Sequence, residues 1–330
     1  MTDTLTPPDT TTSPTRRPTG RRLGVHWLIP RQHRAALLTL LAFVLTATAV
    51  LLWQRSVIVD VRTAYDSPSR TDALAGRHST WLAFALLDWV AALTLLPVAL
   101  AVFLGAPLLA ADRERGLAAL VTTQSVTRGA WLRAKLLWIL GAATLAGAVL
   151  SLSTTALWDE VLPRYNFHWF SQGVFDNSGP VLPAMCLFLT ALGVTVGAVL
   201  PRVLPAMATT LGLSAVVLTG WWFLRPHLGP SRTLVYPAGA DKPAWVVDTA
   251  ELTQHTRDAA GGTHPWEICA AGDKAVTLTC LRERGIVDKV ITYFPQSQET
   301  TLQWTAAGIL VAGAAVLIAL VLRRTARRPL

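Results

Sequence analysis

Six long apolar runs dominate the chain, and polar stretches separate them. Each run has close to the roughly 20 residues that a helix needs to cross a bilayer core. Because lipid offers backbone groups no hydrogen-bond partners, such runs are predicted to be helical. The predicted spans are Ala35–Trp53, Trp81–Ala110, Leu136–Leu157, Val181–Leu200, Leu204–Leu224 and Leu302–Leu322. The pattern therefore predicts an all-α integral membrane protein with six transmembrane helices.

The polar stretches divide the chain further. The predicted segments are a disordered tail (1–24), an interfacial segment (25–34), spans one to five (35–224), a larger extracytoplasmic segment (225–301), span six (302–322) and a basic tail (323–330). Trp27 suits the headgroup region, although residues 25–34 could equally be an ordinary flank of the first span. Val287–Phe294 fits a short strand within an outer segment whose fold the sequence leaves open.

Composition supports the membrane class. Hydrophobic residues make up 52% of the chain and charged residues 15%, whereas soluble domains carry about 25% charged residues. The apolar content is also far too high for a disordered protein. With three Cys in 330 residues, the chain does not have the composition of a disulfide-rich scaffold.

The basic residues are distributed unevenly between the two predicted faces. The tails and the loops after spans two and four hold 16 basic and four acidic residues, a net charge of +12. The other loops hold 13 basic and 15 acidic residues, a net charge of −2. Because cytoplasmic loops carry the excess of Lys and Arg, both termini are expected in the cytoplasm of a multi-pass cell-membrane protein. Contact with anionic membrane lipid accounts for the basic excess, so no nucleic-acid partner is expected.

Asp88 is an acidic residue inside a predicted span. Acids at this depth are costly and are functional candidates by default. Snorkelling to the interface, or pairing with a neighbouring helix, explains the residue equally well. We predict that Asp88 faces the interior of the bundle or of a dimer.

Two of the three cysteines, Cys269 and Cys280, lie in the outer segment. An oxidising exterior favours a disulfide between them. His255 and His264 lie nearby, but their spacing matches no standard zinc pattern, so no metal site is predicted.

Familiar catalytic motifs do not occur in the sequence. There is no Gly-x-x-x-x-Gly-Lys-Ser/Thr phosphate loop, so we do not expect ATP hydrolysis by this chain alone. The His-Glu-x-x-His and Gly-x-Ser-x-Gly motifs are also absent. We therefore expect no enzymatic activity and no cofactor in this chain.

The loop between spans two and three is the most informative stretch. Asp112-Arg113-Glu114-Arg115-Gly116 is predicted to begin a short helix at the membrane surface, covering residues 112–122. Leu117, Leu120 and Val121 recur at helical spacing and form one apolar face. Such a helix could dock into a groove on a partner protein, or it could simply lie on lipid.

These residues resemble the permease subunits of type-two ATP-binding cassette (ABC) exporters, especially those of actinobacteria. The resemblance rests on the acidic-basic pattern before Gly116, the apolar face, and Thr123–Arg128 before the basic start of span three. Further matches are Arg31–Ala35, Phe175-Asp176, Pro205–Ala208 and Leu224–His227. In this family the segment after span two is a coupling helix that docks on a separate ATPase.

By this resemblance the ATPase-coupling residues are Asp112, Arg113, Glu114, Arg115, Gly116, Leu117, Leu120 and Val121. It also implies a permease homodimer or heterodimer, with ATP and Mg²⁺ bound by a cytoplasmic ABC ATPase subunit. Two other interpretations stay open: a non-transport membrane protein, such as a sensor or an assembly factor with an outer cap, and a membrane-embedded enzyme. The sequence does not indicate which substrate would be exported.

Overall fold

The computed structural model describes residues 31–65, 92–115, 127–161, 168–243, 245–246, 249–269 and 274–327. Within these ranges, six helices are long and apolar enough to cross a membrane. They are α1 (Arg34–Tyr65), α2 (Ala92–Glu114), α3 (Arg128–Val161), α5 (Val181–Val199), α6 (Val203–Leu224) and α8 (Glu299–Arg327). Two shorter helices are α4 (Gln172–Phe175) and α7 (Lys274–Glu283). The prediction of six apolar helices is confirmed, while residues 81–91 of the second predicted span lie outside the described residues.

Helices α1 and α3 extend beyond the apolar runs that predicted them. The first predicted span ends at Trp53, but α1 continues for three further turns to Tyr65. In this extension Arg55 donates hydrogen bonds to the carbonyl oxygen of Ala156 and to the carboxylate of Glu160, both at 3.2 Å. The polar ends of α1 and α3 therefore pair with each other where the apolar pattern has already stopped.

Helix α2 is interrupted by a π turn at Ala101–Gly105. The N–H of Ala106 donates to the carbonyl oxygen of Ala101, five residues earlier, at 2.8 Å. Pro107 follows immediately, and its ring has no N–H to continue the α-helical pattern. Because proline removes a helix hydrogen bond, the sequence predicts a kink near Pro97 or Pro107; the π turn lies just before Pro107.

Helix α5 packs against this π turn through two glycines. A Cβ atom at Gly193 or Gly197 would collide with the carbonyl oxygens of Ala101 and Ala106 respectively. The Gly-x-x-x-Gly spacing therefore lets the backbones of α2 and α5 touch. Helix α5 also packs on α3, α6 and α8 and lies at the centre of the bundle.

The segment between α6 and α8 contains a four-stranded antiparallel sheet. Its strands are β1 (Arg232–Pro237), β2 (Ala250–Asp258), β3 (Thr263–Pro265) and β4 (Ile286–Phe294), in the order β1-β4-β2-β3. The sequence analysis predicted only β4, because its residues form an apolar run while β2 is largely polar. The all-α class thus describes the membrane-spanning part, whereas the segment between α6 and α8 contains both strands and a helix.

The sheet is held within itself and against the bundle. A disulfide joins Cys269, at the end of a 3₁₀ turn, to Cys280 on α7. Phe294 of β4 packs edge-on against Phe170 with ring centroids 5.1 Å apart, and Phe170 lies 5.0 Å from Phe175. These rings join the sheet to the core of the bundle around α5 and α8.

Candidate functional site

The two ends of the bundle differ in chemistry. His33, just before α1, interacts electrostatically with Asp112 and Lys135, which indicates that α1 begins close to both residues. Arg113 likewise interacts with Arg324 of α8. We call this the termini end, and we call the opposite end, where the outer segment lies, the sheet end. The candidate functional site is a group of four charged side chains at the termini end, the Asp112 cluster: Asp112, Arg113, Glu114 and Lys135.

The centre of the Asp112 cluster is a buried ion pair. Lys135 Nζ of α3 donates to Asp112 Oδ2 of α2 at 2.6 Å, and the two side chains are 0% and 8% exposed. The ammonium group also lies 4.4 Å from the ring centroid of Trp131. Removing one partner of a buried pair leaves an uncompensated charge and costs roughly 3–5 kcal/mol. The pair therefore holds the end of α2 firmly against α3.

The next two side chains bind the ends of two other helices. Arg113 donates to the carbonyl oxygen of Ala198, at the last turn of α5, at 2.6 Å. Glu114 accepts the backbone N–H of Val203, the first residue of α6, at 2.9 Å. A helix has free carbonyls and partial negative charge at its C-terminus, and free N–H groups and partial positive charge at its N-terminus. Each side chain thus carries the charge that complements the helix end it binds.

His33 lies beside the Asp112 cluster, just before α1. Burial lowers the pKa of His33, and the positive charge of Lys135 lowers it further, against the opposing effect of Asp112. Its Nε2 atom is buried and has no hydrogen-bond partner among the described residues. These effects favour the neutral imidazole, so His33 adds no charge beside the ion pair.

The structure describes four of the eight predicted coupling residues. Asp112, Arg113 and Glu114 form the last turn of α2, and the helix is capped at Arg115. They do not form the first turn of a separate helix, as the sequence analysis predicted, because the α-helix resumes at Pro107 and runs through them. The other four predicted coupling residues lie outside the described residues; they are Gly116, Leu117, Leu120 and Val121. Asp88 also lies outside the described residues.

A second buried polar group lies at the sheet end and was not predicted as a site. Asp176, just after α4, accepts hydrogen bonds from Trp221 Nε1 at 2.9 Å and from Arg225 Nη1 at 3.0 Å. Burial raises the pKa of Asp176, while Arg225 and Trp221 oppose this by favouring the carboxylate. Phe175-Asp176 and Leu224–His227 stood out in the sequence as family matches, but nothing in a single sequence indicates that they meet across 49 residues.

The described residues were expected to include no metal site, and His255 and His264 belong to no cluster of candidate ligands among them. Among the residues that the structure describes, no group of three or more His, Cys, Asp or Glu side chains could hold a metal ion. His264 instead binds the carboxylate of Asp258, with Nε2 and Oδ2 2.9 Å apart. The Asp112 cluster connects the end of α2 to three neighbouring helices.

The chain was compared with known proteins. A family model described as "ABC-2 membrane transporter related" matches residues 35–225, which is more than half of the chain. No curated protein and no solved structure matches the chain. The matched region runs from the start of α1 to the end of α6 and so includes the Asp112 cluster and the Asp176–Arg225 pair. The chain is a multi-pass membrane protein that belongs to the ABC-2 membrane transporter related family, whose members serve as permease components of ABC transporters and normally work with an ATPase partner.

Proposed function

We propose that this chain is the permease subunit of an ATP-driven ABC exporter, in which a separate ATPase docks on the segment that follows α2. The observation that carries the proposal is the Asp112 cluster. Three consecutive side chains in the last turn of α2 bind α3, α5 and α6. A force applied just after Glu114 would therefore act on four transmembrane helices at once.

The proposed mechanism gives different roles to Asp112 and to the apolar residues of the predicted coupling segment. The carboxylate of Asp112 is engaged by Lys135 and is buried, so its role is to position α2. The ATPase would instead contact the apolar face of Leu117, Leu120 and Val121. Closure of the ATPases around ATP and Mg²⁺ would push this face, and the Asp112 cluster would pass the movement to the spans. The spans would then switch between inward-open and outward-open states.

The orientation follows from the same assignment. The termini end would face the cytoplasm, where ATP is available, and the sheet end would face the exterior of the cell membrane. The excess of basic residues at the termini end supports this orientation by the positive-inside rule. Two ATPase chains would serve a pair of permeases, either two copies of this chain or this chain and a related one.

The proposal is tested by substituting the apolar face without disturbing the Asp112 cluster. The double variant Leu117→Asp/Leu120→Asp would be affinity-purified from native membranes in mild detergent, and ATP hydrolysis in the eluate would be measured. We expect the wild type to carry ATPase activity and the variant to lose at least nine-tenths of it. Val276→Asp, an equally drastic change at an exposed position of α7, serves as the matched control.

The possible outcomes distinguish the permease function from the alternative of a non-transport membrane protein. ATPase activity that is the same in the double variant and the wild type would contradict the proposed docking site. A wild type that carries no ATPase at all would favour the alternative, a sensor or an assembly factor that acts through its outer segment. The observation behind that alternative is the folded sheet with its disulfide at the sheet end.

A further inference from the structure

A pocket of about 410 Å³ lies where the bundle meets the sheet. One wall comes from the end of α6 and the 3₁₀ turn that follows it, namely Trp222, Phe223, Arg225 and His227. The opposite wall includes Ser171 before α4 and Glu251 of β2. The pocket is distant from the Asp112 cluster, at the other end of the membrane-spanning helices.

The rim of the pocket includes two aromatic side chains at the end of α6. Trp222 and Phe223 occupy the last turn of α6 and are 52% and 63% exposed. Aromatic residues at the end of a span favour the headgroup level of the membrane. An amphiphile of the adjacent leaflet could therefore reach the pocket without leaving the bilayer.

Arg225 lines the pocket and has a hydrogen-bond donor that no described residue satisfies. The Arg225 side chain is only 9% exposed, and its Nη1 donates to Asp176. Its Nε–H is buried and has no acceptor among the described residues. Ser171 Oγ accepts the backbone N–H of His168 at 3.2 Å, which leaves its own proton for a ligand. A buried donor is costly unless an acceptor satisfies it.

The carboxylate in the pocket wall is already neutralised. Glu251 binds Lys242 and the side-chain amide of Gln254. The Asp176 carboxylate is likewise engaged by Arg225 and Trp221. A cationic ligand would therefore find no free acid, whereas a ligand with acceptor oxygens would find free donors.

We propose that this pocket binds the phosphate of a phospholipid headgroup, with the acyl chains lying along Trp222 and Phe223. Arginine suits this task because its guanidinium N–H groups match phosphate oxygens. The site goes beyond the proposed export function and needs no ATPase, so it is tested on the purified permease alone. Failure of lipid binding would leave the ATPase proposal untouched, and failure of ATPase docking would leave the lipid site untouched.

The test is photocrosslinking to lipid. The photoreactive amino acid p-benzoylphenylalanine replaces Phe223, and in a parallel control it replaces Val216, which is 68% exposed on the same helix. The detergent-purified protein is irradiated with labelled phosphatidylglycerol, or with diacylglycerol of the same chains. We expect capture at position 223 to be at least fivefold higher for phosphatidylglycerol, and capture at position 216 to show no preference. Unlabelled glycerol 3-phosphate in excess separates a lipid site from a free-phosphate site, and we expect it not to compete.

A pair of variants identifies the guanidinium as the cause. Asp176→Asn/Arg225→Gln removes both buried charges together, whereas Asp176→Asn alone keeps the guanidinium. We expect the double variant to lose phosphatidylglycerol capture at least fivefold and the single variant to retain it. Should the double variant fail to give a monodisperse protein, Ser171→Ala/His227→Ala is used, with an expected loss of at least threefold. Equal capture of diacylglycerol, or unchanged capture in the variant that folds, would overturn the proposal.

Discussion

The strongest test of the bundle's architecture is removal of the buried cation at the termini end. Lys135→Met keeps much of the aliphatic side chain but leaves the Asp112 carboxylate buried, with 8% exposure and without the ammonium group that lies 2.6 Å away. Such an uncompensated charge costs roughly 3–5 kcal/mol. At about 1.4 kcal/mol per tenfold change, this corresponds to a factor of at least one hundred in the unfolding equilibrium.

The cost should disappear when both charges are removed. Replacing a buried pair by apolar residues of similar size is often neutral, so Asp112→Leu/Lys135→Met should unfold close to the wild type. Arg55→Met is the matched control, because its ion pair with Glu160 is far less buried, with side chains 44% and 17% exposed. Pairs of that kind contribute about 0–1 kcal/mol.

The assay is thermal unfolding in detergent, followed by the fluorescence of the 13 tryptophans. We expect Lys135→Met to have by far the lowest unfolding temperature, with the double variant and Arg55→Met near the wild type. If Lys135→Met unfolds at the same temperature as Arg55→Met, the reasoning from a buried charge pair is refuted.

Three further predictions concern packing, protonation and covalent linkage. Gly193→Ala should cost roughly 1–3 kcal/mol in thermal unfolding, because its Cβ meets the α2 backbone, whereas Gly212→Ala, with open space around it, should cost nothing. The bond from His264 lowers the pKa of Asp258; its stabilisation is complete above the ordinary Asp pKa of about 3.9 and is lost as pH falls through the lowered value. Asp258→Asn should remove that acid-dependent loss in unfolding titrations. Cys269→Ser should destabilise the outer segment by about 2–4 kcal/mol, measured by limited proteolysis, and equal protease resistance would contradict this.

The sequence singled out the stretch of chain that contains the candidate site, but it did not predict the contacts that its side chains make. The acidic-basic pattern from Asp112 to Arg115 singled out this stretch, but the sequence predicted that it begins a helix, whereas in the structure it ends α2. It could not indicate that Asp112 faces inward, because the partner that holds it there, Lys135, lies 23 residues further along the chain. The apolar face of Leu117, Leu120 and Val121 remains a prediction, because it lies outside the described residues.

The apolar runs alone were enough to predict the six membrane-spanning helices. Burial in lipid requires long apolar runs with internally satisfied backbones, and both requirements are local properties of the chain. Family membership likewise came from residues that can be compared position by position. These features need no knowledge of which helix lies beside which.

The tertiary structure alone decided the pairings: Asp112 with Lys135, Asp176 with Arg225, and the glycines of α5 with the π turn of α2. The sheet between α6 and α8 also became apparent only in the tertiary structure. Its polar strands have little apolar pattern, and they are stabilised by hydrogen bonds to strands distant in sequence. Each of these features depends on the proximity of residues that the chain separates. A hydrophobicity pattern records the solvent that each residue prefers, and it contains no information about which buried group will meet which.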